Sequence, residues 1–191
     1  KLFGENRVLT SPLMHSAFDL ILEKHTPTHK TAFLSLCTST RPFLLSKKWK
    51  KFISEFKNKA DLIVVSSGGF VPQNFWCSYP FLNYDAPEHQ DDNLYKTVMY
   101  DRMMRFFKTH RYDYVLANFS PKQRNRETAE QGLSKLKADG FISDFNLIPN
   151  VETYNEAQKQ GWKENGKMFP DLNPVIFKEL KLHIEKAQMS K

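Results

Sequence analysis

Apolar positions follow two rhythms along this chain, short unbroken runs and longer stripes spaced three and four residues apart. The unbroken runs are "AFLSL" at Ala32 to Leu36, "DLIVVS" at Asp61 to Ser66 and "YDYVLANF" at Tyr112 to Phe119. Each has the length and β-branched or aromatic content of a strand buried on both faces. The helical stripes lie between and around them. Pro12 to Lys24 follows Ser11 as cap, with Leu13, Phe18, Ile21 and Leu22 on one side. Lys47 to about Lys57 follows Ser46 and carries Trp49, Phe52, Ile53 and Phe56. Further helices are predicted from Asp91 or Asp92 to Thr109 and from about Arg126 to Ala138, the latter closed by Gly140 at a C-cap position.

Strands alternating with helices predict an α/β fold, a mainly parallel sheet flanked by helices in three layers. The α/β core is expected over residues 1–145. Beyond it, "ISDFNLI" reads as a further strand, Val151 to Gln160 as a short helix and Asn173 to about Gln188 as a terminal helix, so residues 146–191 are expected to form a mostly helical extension. Between Gly68-Gly69 and the helix near Asp92 the residues are aromatic but rich in Pro, Asn and Asp, which predicts irregular structure, and a loop of that length inside a domain is often functional. In parallel sheets ligands bind beyond the carboxyl ends of the strands, which places Cys37, Ser66 and Asn118 on one rim.

Composition adds a sign to this picture. Lys and Arg number 28 against 21 Asp and Glu, a formal charge of +7, which favours polyanions such as RNA. A chain 40% hydrophobic and 14% aromatic folds rather than remaining a tail. Only Cys37 and Cys77 are present and the six histidines are scattered, so no metal-site spacing appears and no cofactor is implied. No apolar run approaches the roughly 20 residues of a membrane span. The expectation is a cytoplasmic protein with reduced thiols and no membrane association.

The chemistry-bearing groups concentrate in "LCTSTRPFLLSKKWKK". Lys47, Lys48, Lys50 and Lys51 stand in the first turns of a helix, where cations oppose the helix dipole unless an anion is nearby. With Ser39, Thr40 and Arg41 just upstream, the segment reads either as a phosphate or carboxylate seat or as a solvated lysine face. Cys37, at the end of a strand and the head of a helix, reads either as a small buried hydrophobe or as a nucleophile whose thiolate Arg41 and the lysines would stabilise. Asp85 in "NYDAP" is suited to the donor edge of a guanine-like base, with Tyr79, Phe81 and Tyr84 to stack on it, or else to a turn beside an aromatic cluster.

Residues 36–49, Leu-Cys, three residues, Arg-Pro-Phe, two residues, Ser, two residues, Trp, resemble the signature of archaeosine synthase, an archaeal tRNA-processing family related to tRNA-guanine transglycosylase. The family pattern has Pro-Cys, Lys-Pro-Tyr, Ser and His at these spacings. "LTSPLMHSAFDLILEKHTP", "IVVSSGGFVPQNFWCSYPFLNYDAP" and "YDYVLANF" are similar to further family segments, so the likeness spans about residues 9–120. It implies a transferase that adds lysine to the nitrile of 7-cyano-7-deazaguanine in tRNA. Cys37 and Asp85 would then be catalytic; Ser39, Arg41, Ser46, Ser66, Ser67, Gly69 and Tyr84 would contact substrate, and Lys47, Lys48, Lys50 and Lys51 would face RNA. It also implies tRNA as partner, with a separate transglycosylase-like or RNA-binding subunit. The chain departs from the pattern at Leu36, at "SSGG" and at Trp49, where the family has histidine. Two other readings stand beside the transferase: a tRNA- or nucleobase-binding module without catalysis, and a small-molecule enzyme that binds a phosphorylated metabolite.

Overall fold

The computed structural model describes residues 5–84, 92–161 and 170–189. Five strands form one sheet in the order β3-β2-β1-β4-β5. They are β1 (Thr31–Leu36), β2 (Asp61–Ser66), β3 (Gly69–Pro72), β4 (Tyr114–Asn118) and β5 (Asp144–Ile148). β2, β1, β4 and β5 run parallel, and β3 returns antiparallel along the edge of β2. The architecture is the three-layer α/β sandwich that the alternation predicts. Its central strand β1 pairs Leu34 with Ile63 on one side and Ala117 on the other.

Seven helices surround the sheet among the described residues: α1 (Glu5–Thr10), α2 (Pro12–Lys24), α3 (Lys47–Phe56), α4 (Asp92–Thr109), α5 (Arg124–Ala138), α6 (Val151–Lys159) and α7 (Pro174–Met189). One face takes α2, α4 and α5; the other takes α3 and α7. On that second face Phe33 meets Phe52 and Phe56, and Phe177 of α7 stacks on both helix phenylalanines at 6.1 and 5.5 Å. Offset ring pairs of this kind add to ordinary apolar burial, so α7 is seated on the core by the same side chains that seat α3.

Helix starts follow local chemistry. Ser46 accepts the Trp49 backbone N–H, Asn150 that of Thr153 and Asn173 that of Val175, which satisfies amides the helices leave unpaired. Ser11 occupies the cap position of α2 but makes no side-chain cap bond. The hairpin into β3 was not expected from the pattern, because four residues ending in Pro make a weak strand signal. Gly69 turns it at φ 120°, and a Cβ there would come within 2.9 Å of Phe18. Arg102, buried in α4, donates to the Ser67 carbonyl at 2.5 Å and the Leu9 carbonyl at 3.0 Å, tying hairpin and α1 to the same helix. Burial lowers its guanidinium to about 10, so it stays charged at neutral pH.

The amino ends of the strands hold a chain of titratable groups. Tyr112 donates its hydroxyl to Asp61 at 3.0 Å, so His25, 2.8 Å away, donates to Tyr112 from Nε2. His110 meets the His25 ring edge-on at 4.8 Å. Burial lowers His25, with Asp61 opposing; burial, and then His25, lowers His110 to about 4. Burial works to raise Asp61, but bonds from Thr28, His29 and Tyr112 outweigh it and hold the carboxyl below its ordinary value. Both histidines are therefore neutral in the fold and basic in the unfolded chain. Stability is expected to be flat above pH 6.5, to fall as pH drops towards about 4 because the unfolded state binds the extra protons, and to fall again below pH 4 as Asp61 protonates. Urea unfolding across this range, with His110→Leu flattening the upper step, checks it.

Candidate functional site

The strand order changes direction between β1 and β4: β1 continues to β2 on one side, and β4 and β5 build out on the other. Doubly wound sheets bind ligands at the carboxyl end of such a switch point. Two polar groups collect there.

The first group is closed. Lys48 lies in the first turn of α3, and its side chain runs inward rather than out to solvent, 6% exposed. Its Nζ donates to the Leu36 carbonyl at 2.8 Å and to Asp171 Oδ2 at 2.9 Å, with Ser35 Oγ at 3.4 Å. Asn118, at the end of β4, donates to Ser35 Oγ at 3.2 Å and Asp171 Oδ1 at 3.1 Å. Both oxygens of Asp171 are thus held at the switch point. The expectation of an RNA-facing Lys48 is corrected: an ammonium this far from water needs a carboxylate, and Asp171, from the 3₁₀ turn ahead of α7, supplies it. Lys47, Lys50 and Lys51 do point outward.

The second group surrounds Cys37. Its backbone N–H bonds to the Val65 carbonyl, which brings the β1 end against the β2 end. The thiol is partly exposed, neither a sealed core group nor a free surface one. Arg41 spreads its guanidinium over the rings of Phe43 and Tyr84, 4.4 and 4.7 Å from their centroids. Tyr84 is buried, and burial first, then the nearness of Cys37, raises its hydroxyl well above the ordinary range. Tyr95 of α4 is raised to about 12 by the same two causes in the same order, and Arg124 lies over its ring at 3.7 Å. Cys37 is therefore near enough to act electrostatically on two tyrosines that stay protonated, each with a guanidinium stacked on its ring.

Four buried polar atoms at this end have no hydrogen-bond partner among the described residues: Arg41 Nε, Tyr84 Oη, Asn118 Oδ1 and Asn125 Oδ1. Ser66 and Arg41 stand beside the Tyr84 hydroxyl without reaching bonding geometry. An unpaired buried polar atom typically costs about 1–3 kcal/mol, so their concentration at one end of the sheet calls for an explanation in ligand binding.

Other expected site residues have folding roles. Ser46 is buried and caps α3. Ser66 accepts the Gly68 N–H at 3.1 Å, and Ser67 and Gly69 complete the hairpin turn against Arg102 and Phe18, so Gly69 faces the core rather than a substrate. Trp49 is wholly buried, edge-on to Trp76 at 4.7 Å, and offers no platform to a base. Of the three aromatics read as stacking groups, Phe81 and Tyr84 are buried and only Tyr79 is exposed. Cys77, read as packing, is exposed, and so is Ser39. Asp85 lies outside the described residues. Sequence reasoning missed Ser35, Asp171, Tyr95 and Arg124; a serine inside an apolar strand run was the one signal available for the first.

Among the described residues, no group of three or more His, Cys, Asp or Glu side chains is placed to hold a metal ion, and no helix is long and apolar enough to cross a membrane. Breaking the closed group tests its part in stability. Lys48→Met is expected to cost about 3 kcal/mol by stranding Asp171, and Lys48→Met with Asp171→Leu considerably less than the two single changes added, as read by urea unfolding.

No curated protein matches the chain. Among solved structures it is similar to AF0587, described as a protein of unknown function, at 20% identity and a TM-score of 0.52 over 80% of this chain. At that identity the likeness speaks for the fold alone, and the chain spans about half, 52%, of that protein's length. Residues 17–146, from α2 to within β5, match a domain of unknown function, and the chain belongs to that family, DUF5591.

Proposed function

We propose that this chain is a tRNA-modifying transferase domain of the archaeosine synthase type, acting on 7-cyano-7-deazaguanine in tRNA by adding lysine to its nitrile. One observation carries the reading. Cys37, Arg41 and Tyr84, read from separate parts of the quoted pattern, come together at the switch-point end of the sheet, where buried polar atoms are left unpaired.

The chemistry fits these groups. The Cys37 sulfur adds to the nitrile carbon, and the nitrile nitrogen takes up a proton to give a thioimidate. The amine of lysine then adds to that carbon. The carbon–sulfur bond breaks, the thiol is regenerated and an amidine remains, so no oxidant or metal enters the balance. Tyr84 holds its proton firmly and can donate a hydrogen bond to the nitrile nitrogen as charge develops there. Arg41, braced by two rings, offers an unpaired Nε–H to an anionic or carbonyl group of the base.

The burial of Trp49, where the family has histidine, favours a second reading, a module that binds modified tRNA without catalysing. The two separate in one assay: tRNA carrying 7-cyano-7-deazaguanine, with lysine, analysed by nucleoside mass spectrometry. Under the transferase reading the modified nucleoside gains the mass of lysine, Cys37→Ala abolishes the gain, and Tyr84→Phe slows it about 10²-fold. Tighter binding to the cyano-bearing tRNA than to unmodified tRNA, with no mass gain, leaves the binding module. No binding to either tRNA ends both.

A further inference from the structure

Helices α3 and α7 enclose a groove of about 760 Å³ on the outer face of the sheet. Lys47, Lys50, Lys51 and Ser54 form its wall on α3, spaced i, i+3, i+4 and i+7, so they share one helix face. Pro174, Phe177, Lys178 and Lys181 form the α7 wall at the same spacing, with Leu172 beside them. Five lysines from two elements distant in sequence thus converge on one concavity. Neither helix has an acidic residue in its first turn to offset them.

The carboxylate that bridges the two walls is Glu55. It accepts from Lys51 at 2.7 Å and lies 2.8 Å from Lys181, and these bonds, Lys181's first, hold it down to about 2. Lys51 and Lys181 also lie 5.3 and 5.4 Å from the centre of the Phe177 ring. Those two ammonium groups are therefore spoken for, and they lock the walls together. Lys47, Lys50 and Lys178 are exposed and, among the described residues, have no acidic group within ion-pair distance. The groove carries uncompensated positive charge over an apolar floor of Leu172, Pro174 and lysine stems.

We infer that this groove seats the sugar–phosphate backbone of an RNA strand, with Lys47, Lys50 and Lys178 neutralising successive phosphates. The inference rests on the tRNA reading above and names a surface separate from the Cys37 end. Lysines act here as point charges without a planar fork, so they position a backbone and read no sequence. Binding in the groove should be strong at low salt and indifferent to the modified base.

The test is salt-dependent binding of the full chain to cyano-bearing and unmodified tRNA, with the triple variant Lys47→Gln, Lys50→Gln, Lys178→Gln. A second triple variant, Lys57→Gln, Lys108→Gln, Lys159→Gln, removes the same charge from exposed positions outside the groove. The expected result is that the groove variant lowers affinity for both tRNAs equally and reduces the slope of log K against log salt by about 2–3, while the outer variant changes neither by half as much. Unchanged affinity and slope in the groove variant, with the unsubstituted chain still binding tRNA, overturns the groove and leaves the base-modifying reading intact. Equal losses in the two variants also overturn it, since net charge alone would then account for binding. Failure of the unsubstituted chain to bind any tRNA overturns both, and binding of poly-glutamate but not tRNA, lost in the groove variant, assigns the groove to an acidic protein instead.

Discussion

The structure depends on β1 being covered on both faces. Ala32, Phe33 and Leu34 have no exposure to water, and their neighbours in β2 and β4 are almost as dry, so a helix layer is required above and below. A parallel pairing of β1 with β2 needs a crossover, and α3 is that crossover, laying Phe52 and Phe56 on Phe33. The same requirement on the other half of the face brings Phe177 and with it α7, so a helix near the end of the chain is part of the central packing. Once α7 is seated, the 3₁₀ turn before it lies at the carboxyl ends of β1 and β4, and Asp171 reaches Lys48 and Asn118.

Burial also decides how charge is divided between inside and outside. Four lysines crowd the first two turns of α3, and helix geometry sends them in different directions. Lys47, Lys50 and Lys51 share a stripe that faces α7, and Lys48 falls on the stripe that faces the sheet. A buried ammonium is tolerable only with full hydrogen bonding. Lys48 finds it from a backbone carbonyl and a carboxylate, and Asn118 takes the carboxylate's other oxygen. One lysine-rich turn thus feeds two unlike environments, a closed polar knot at the switch point and an open basic groove.

The strands and helices were legible because their periodicity reports burial directly. β2 begins and ends where its unbroken run does, and Ser46 and Pro12 mark their helices through chemistry local to a few residues. β3 was not legible: its pairing comes from the Gly69 turn and from Arg102, which lies 33 residues further along and gives no local sign that it will bind the Ser67 carbonyl. The rim was legible as a place, since Cys37, Ser66 and Asn118 all end parallel strands. Its occupants were not. Asp171, Tyr95 and Arg124 reach it from separate helices or turns, and neither hydrophobic spacing nor a contiguous motif records that approach.

The quoted pattern from Cys37 to Trp49 divides by physical role once it is folded. Ser46 holds the amide of Trp49, and Trp49 fills the space between Phe52 and Trp76, so the end of the pattern builds the start of α3. Cys37 and Arg41 are left with exposed or unpaired atoms, so its beginning is not used up by packing. The departure at Trp49 therefore falls in the structural half. A histidine at that position in this fold would be enclosed by aromatic rings, where burial disfavours its charged form, and it would be a poor proton donor to a group beside Cys37. The hydroxyls that act on Cys37 electrostatically are instead those of the buried Tyr84 and Tyr95, each raised first by burial and then by Cys37, so both keep their protons and remain hydrogen-bond donors.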